Sequence, residues 1–576
     1  MKRLFALLLA AAMCFALLSG CGGNTTESPA GSADASEATD ASEAAEASTP
    51  ETDTAEEAEA AEESAEITDI EIEEVETEEV TYPLVEDGSV TVEYWFPVEA
   101  NALQRIADRD DLQLWSEVRR ITGVDVDLTM IAATNIATLF PLTIASGDMP
   151  DMWMDFSAYT NGFDDAIEEG IVEPLNDYLS VMPNLNAILE GDKEMRRQCY
   201  TDSGYFAAIP SIKVVGDGHQ AQGPWFGYVA RKDWLDEMNM DVPETYDDLE
   251  KVMDAMMQQY DTVKTPIYMS MGIEANPFAD PVLYGGYGVT GNYIQVDGEV
   301  RYSPLEDGYK GYVEMLHRWI EKGYLSTDFP YNILPWLDTG EAAEQSYGVF
   351  PVIYTWFDGY KATVPDDDFD LVALKPLKVD AGDTVHIGSS GLMASPAGAI
   401  CADSENIELI CKWWDYLFGE EGITLGNWGI EGKTYEVKDN GEKTWIGPFV
   451  NEDNDPGFDL SMVQWEYLVF NMPGYIQVDR EYCLVDEKAV EFIDQWDDCE
   501  TDYNYPMGAT MTAEENQAYA SRFNDLNTYV TEQTLRFVMG ESSFDEWDSF
   551  IDTVYSMGAE ELTTYKQAAL DRYNNR

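Results

Sequence analysis

The chain has 576 residues, 12% of them aromatic, and 111 Asp and Glu against 32 Lys and Arg give a formal net charge of −79. That balance excludes nucleic acid as a partner, because phosphate contacts need a basic face. Three histidines in all, with no Cys-x-x-Cys or Cys/His spacing, give no metal site, and no cofactor is expected.

Lys2 and Arg3 open the chain, Leu4 to Leu18 is an apolar run, and Ser19 and Gly20 precede Cys21. This is a secretory signal, too short for an ordinary spanning helix. Leu18-Ser19-Gly20-Cys21 resembles the lipobox of bacterial lipoproteins. The resemblance implies diacylglyceryl transfer to the Cys21 sulfur and cleavage before it. The mature protein then works on the extracytoplasmic face of the cell membrane, and its two acyl chains anchor far more firmly than one. Residues 22–80 hold 21 acidic side chains and no Lys, Arg or aromatic residue. Such a stretch cannot bury enough apolar surface to order itself. It reads as a disordered acidic tether spanning roughly 40–45 Å, stretched further by like-charge repulsion.

Residues 81–576 form the folded part, large enough for more than one lobe. With Lys2, Arg3 and the tether's 21 acids set aside, about −60 remains on it. The acids are scattered, so they mainly solvate the surface. Anionic headgroups repel it too, which leaves the lipid to hold the protein down. Val90–Phe96 reads as a strand ending at Pro97. Leu112, Trp115, Val118 and Ile121 mark a helix stopped by Gly123. Val124–Met130 is a strand, Asn135–Ala145 a helix ended by Ser146-Gly147, and Met152–Met154 a short strand. This alternation means an α/β sheet with helices on its faces. Ligands of such sheets sit beyond the carboxyl ends of the strands, here the loops Phe96–Asn101 and Asp155–Thr160. After Cys21 five cysteines remain, an odd number, so at least one stays unpaired. Asp453–Asp459 hints at a calcium loop, but Phe458 stands where an EF-hand needs glycine, so a solvated turn is expected. Residues 430–510 are dense in loop punctuation. Residues 512–571 read as two long amphipathic helices with Gly540 near their junction.

Five segments carry a more specific signal. Ala145-Ser-Gly-Asp-Met-Pro-Asp151 resembles the SGD-x-PD turn of extracellular solute-binding proteins, and Gly170–Asn176 resembles the segment that follows it. Gly204–Pro210 resembles their G-x-x-Y-A-x-P strand, with Phe206 or Ala207 in place of the usual tyrosine. Val229–Leu235 followed by Val242–Leu249 resembles R-x-D-W-L … P-x-T-x-D-D-L. Trp428–Tyr435 is similar to the G-I-E-G-x-x-Y element of large lipoproteins of sugar ABC importers, a group the spacing of Gly540, Trp547, Gly558 and Tyr573 also fits. The tether is longer than those lipoproteins would have. The resemblance implies an α/β, two-lobed periplasmic-binding-protein-like fold of type II. Mixed sheets are flanked by helices and the ligand cleft lies between the lobes. Lobe one is expected at about 86–224 and 375–418, and lobe two at about 225–370 and 420–576. Crossings are expected near Pro224–Val229, Phe369–Lys378 and Gly419–Gly426. Closure is a hinge motion. The implied function is non-catalytic: a monomer captures a sugar or oligosaccharide and presents it to the permease subunits of an ABC transporter. The chain's lack of GxxxxGK[ST] fits ATP hydrolysis elsewhere. A peptide or other small solute, a secreted carbohydrate-active lipoprotein, and an adhesin or sensor component are the alternatives.

A sugar site needs aromatic platforms and polar groups for hydroxyls. Trp115, Trp319, Trp413 and Trp414 sit inside helix patterns and read as core, and Trp234 as structural. The candidates for ligand contact are Trp95 and Phe96 closing the first strand, Asp155 after the third, and Trp225 and Phe226 before a crossing. Trp356 and Asp358 end the strand Gly348–Tyr354, and Trp428 lies beside the Gly-Ile-Glu-Gly element. His386, with Ser389 and Ser390, is a weaker candidate, since a hydrogen-bonded structural histidine is commoner.

Overall fold

The computed structural model describes residues 75–99, 102–104, 106, 111–159, 161–215, 219–220, 226–270, 281–332, 336–388, 394–450, 460–469 and 472–576. Cys21, Trp225, Ser389, Ser390 and the turn Asp453–Asp459 lie outside the described residues. The end of the expected tether is already part of the folded body. The Glu78 amide donates to the Ser180 carbonyl at 2.8 Å, and Val75 packs on the neighbouring core.

Strand β1 (Thr91–Val98) alternates at its start and is then buried at every position from Tyr94 to Val98, as a strand covered on both faces must be. Helix α1 (Gln113–Thr122) turns Leu114, Trp115 and Val118 inward and ends at Gly123 with φ 79°. A Cβ there would lie 2.1 Å from the Val85 carbonyl oxygen, so the left-handed cap and the close approach both require glycine. β2 (Asp125–Ala132), α2 (Ile136–Ser146) and β3 (Met152–Trp153) follow in the expected order. β1 pairs parallel with both β2 and β3. After α3 (Lys193–Cys199), β4 (Ile209–Val215) leads out of this lobe.

The second lobe holds β5 (Phe226–Arg231), β6 (Val349–Ile353) and β7 (Leu371–Ala373), an antiparallel sheet ordered β7–β5–β6. β8 (Ala394–Ile400) re-enters the first lobe, antiparallel to both β3 and β4. Helix α4 (Glu420–Trp428) and β9 (Gly474–Gln477) stay there, with β9 parallel to β4. The first sheet therefore runs β9–β4–β8–β3–β1–β2. The three strands that connect the lobes are neighbours on one side of it. β3, β1 and β2 occupy the other. α5 (Glu487–Trp496) belongs to the second lobe, as do α6 (Ala513–Val538), α7 (Trp547–Ser556) and α8 (Ala559–Asn574).

Each lobe has its own aromatic core. In the first, Trp115 stacks on Trp413 at 5.3 Å, and Tyr94 meets Trp414 edge-on at 5.8 Å. In the second, Trp319, Tyr312 and Trp496 are fully buried, and the Trp496 indole N–H donates to the Tyr228 carbonyl at 2.8 Å. Rings of this size bury most of the apolar area that stabilises such a core, and edge-to-face pairs add about 0.5–1.5 kcal/mol each.

Two expectations are corrected. Phe369–Lys378 does not cross: β7 pairs inside the second lobe and Leu377 is in its core. Gly419–Gly426 does not cross either, because Leu425 and Trp465 pack in the first-lobe core. The second and third crossings fall instead between 388 and 394 and after Gln477, so residues 420–477 belong to lobe one rather than lobe two. The first crossing, between β4 and β5, lies next to the expected one. The expected last helix is also two helices, because Gly558 with φ 94° separates α7 from α8.

Candidate functional site

The third crossing brings the lobes together around one buried cation. Arg480 is 3% exposed. Its Nη1 donates to Asn427 Oδ1 at 2.8 Å and its Nη2 to the Val469 carbonyl at 3.1 Å. Glu481 Oε1 stands 3.9 Å from its Nε. Burial holds this guanidinium below its usual range, against the pull of Glu481 and Tyr354. Asn427, at the end of α4, donates to the Ile423 and Tyr475 carbonyls at 2.9 and 2.7 Å and also accepts from the Gln477 amide at 2.7 Å. One amide thus ties α4, β9 and Arg480. Across the crossing, Tyr354 at the end of β6 meets Tyr482 edge-on at 6.0 Å. Burial, with Glu481 nearby, pushes the Tyr354 hydroxyl well up, so it stays a neutral donor. Gln464 donates to Glu481 at 2.7 Å.

Indoles flank this junction from both lobes. Trp356 is half-buried and meets Trp336 edge-on at 5.8 Å. Asp358, two residues on, is exposed. In the first lobe Trp428 is half-buried and stacks on Trp445 at 4.6 Å, which stacks on Phe449 at 4.0 Å. Lys443 Nζ lies 5.6 Å from the Trp428 ring centre, and the Trp445 indole N–H donates to the Arg480 carbonyl. Phe226 opens β5 beside Ile353, the last residue of β6, and so lies at the same end of the second sheet as Trp356.

The strand-end pair of the first lobe is divided. Successive side chains on a strand face opposite ways, so Trp95 and Phe96 enter different clusters. Phe96 has no exposed surface and packs edge-on against Tyr94, Trp115 and Trp465. It is a core residue, which takes it out of the ligand set. Trp95 is 3% exposed, 5.1 Å from Trp153 and 5.7 Å from Phe140. It supports the loop after β3 from beneath. In that loop Asp155 accepts from the Ser157 amide at 2.8 Å, a turn that leaves its other oxygen without a bond among the described residues. Trp225 lies outside the described residues. His386 stacks on Tyr503 at 4.4 Å and its Nδ1 is 2.9 Å from Asp502 Oδ1, the hydrogen-bonded structural arrangement.

Sequence reasoning missed Arg480, Asn427 and Tyr354. Arg480 sits in a loop-rich stretch where no periodicity marks burial. A signal was available in Arg480-Glu481-Tyr482, a rare cation in a strongly acidic chain beside an aromatic residue. Among the described residues no group of three or more His, Cys, Asp or Glu is placed to hold a metal ion. None of their helices is long and apolar enough to cross a membrane.

No family model matches the chain. It is 23% identical over 529 residues to the fructooligosaccharide ABC transporter substrate-binding protein FusA of Streptococcus pneumoniae, covering 86% of this chain and 92% of that protein. It is 19% identical over 475 residues to the lipoprotein LipO of Bacillus subtilis, covering 77% of this chain and 86% of that protein. The structure superposes on an HMO-binding, ABC-transporter-associated solute-binding protein of Bifidobacterium longum infantis with a TM-score of 0.66 and 18% identity, covering 85% of this chain and all of that one. The chain is a two-lobed α/β relative of the substrate-binding proteins of ABC importers.

Proposed function

We propose that this protein captures an oligosaccharide between its lobes and delivers it to the permease of an ABC importer. Cys21 carries the lipid that holds it on the extracytoplasmic face of the membrane. The observation that carries this reading is the relationship along nearly the whole chain to a fructooligosaccharide-binding protein, joined to indoles presented from both lobes at one junction. Trp356 and Trp428 are the platforms for the apolar faces of sugar rings, with Phe226 at the same sheet end as Trp356; Trp225, outside the described residues, stays a candidate. Asp155 and Asp358 accept hydroxyl hydrogen bonds on the rim. No group in this set is a nucleophile or acid–base pair in the reading: the protein binds and releases its cargo unchanged, as a monomer. The relationship to LipO supports the anchor.

The test is a thermal-shift screen of the leaderless chain against neutral and acidic oligosaccharides, with peptides as controls. A ligand at about 100 times its Kd adds roughly 2.7 kcal/mol of stability, which is readily measured. A saturable shift with one carbohydrate class is the expected result. A shift with peptides alone overturns the sugar reading.

A further inference from the structure

The lobes touch a second time through a cluster of charges. Asp202, in the turn after α3, receives Arg572 Nε at 2.7 Å on one oxygen and Arg576 at 2.6 Å on the other. Arg572 also reaches Glu515 at 2.6 Å and donates to the Thr510 carbonyl at 3.1 Å. The Tyr573 hydroxyl donates to Glu194 Oε1 of α3 at 2.6 Å, and Glu194 pairs with Arg197 at 3.3 Å. Asp202, Glu194 and Arg197 belong to the first lobe; Glu515, Arg572, Tyr573 and Arg576 belong to the second. Three carboxylates thus meet three guanidiniums. The Arg576 side chain is 5% exposed and that of Asp202 12%, so salt screens the pair little.

The cluster flanks the second crossing on both sides. In the first lobe, Gln198 of α3 accepts from the amide of Ala394, the first residue of β8, at 2.9 Å. In the second, Val385 and His386 accept from the Glu500 and Tyr503 amides at 2.8 and 3.2 Å, and Asn504 donates to the Gly388 carbonyl at 3.0 Å. The chain then runs through Gly508, which lies against the Tyr573 ring, to Thr510. Contacts next to a hinge axis change least as two bodies rotate about it.

We propose that this cluster is an interlobe pivot. It stays formed as the lobes open and close, and it confines their motion to rotation about the crossing strands by blocking sliding and twisting. The inference does not depend on the cargo.

The test places a spin-label pair, through non-natural amino acids, at the exposed positions Ser116 and Asp548 of the full chain, and reads their distance distribution. The parent protein is expected to give a narrow distribution. Arg572→Gln combined with Arg576→Gln is expected to broaden it at least twofold. Asp202→Asn is expected to do the same to a lesser degree, and it serves alone if the double variant does not fold. Circular dichroism melts of each variant separate loss of the pivot from loss of a lobe. Distributions that superimpose on the parent's, in variants that fold, overturn the proposal.

Discussion

Two places where the lobes meet are built from opposite chemistry. At Arg480 a buried cation is held by an amide and a carbonyl with Glu481 3.9 Å away, and the Trp356 and Trp428 rings are only half covered. At Asp202 every charge has a partner of opposite sign. A charge-paired ion cluster holds two bodies in register. A junction with partly covered indole faces instead leaves surface that an uncharged polar solute can cover. On the two proposals above, one junction sets geometry and the other serves recognition.

Breaking the first junction at its hub has the largest expected effect. Asn427→Ala removes four hydrogen bonds and strands the Arg480 charge in the core, which costs about 3–4 kcal/mol by urea denaturation. A loss under about 1 kcal/mol means that Arg480 finds other partners. Trp356→Ala sharpens the contrast from the recognition side. It should weaken oligosaccharide binding by about 1–3 kcal/mol in calorimetry while leaving the melting temperature within a few degrees. A lowered melting temperature with unchanged affinity assigns Trp356 to the core instead.

A third prediction concerns pH. Burial pushes Asp415 up to about 6, although the Leu185 amide and Asn184 hydrogen-bond its charged form. The folded protein therefore binds this proton more tightly than the unfolded chain, whose Asp titrates near pH 3.9. Its contribution is full below about pH 4 and is lost as pH rises through about 6, by about 2–3 kcal/mol. Denaturation at pH 4.5 and 7 should show that fall, and Asp415→Asn should flatten it. Glu515→Gln, at the rim of the ion cluster, is the mildest change. It should cost under about 1 kcal/mol, because Arg572 keeps Asp202.

Much of the first lobe was legible without coordinates. The first strand, read as Val90–Phe96 and running on through Pro97 to Val98, the helix closed by Gly123 and the short strand at Met152 follow from periodicity and caps that act within a dozen residues. The candidate site was legible only in part. Trp356 and Trp428 stand out as indoles at element ends, but Phe96 looked the same by that rule and is a core residue. Strand alternation says that Trp95 and Phe96 face opposite ways and does not say which face is covered. Residues 430–510 gave the weakest reading, and they hold Arg480.

By itself the sequence determined what depends on composition and local order: an apolar run before Cys21, the acidic composition of the segment after it, and a βαβαβ entry into an α/β fold. Helical and extended periods are set by neighbouring residues, and net charge by simple counting. Only the tertiary structure decided which lobe owns residues 394–477, where the second and third crossings fall, and that Asp202 meets Arg572 across a sequence separation of 370. Those contacts depend on how sheets close over distant segments, a property no local window of the chain contains.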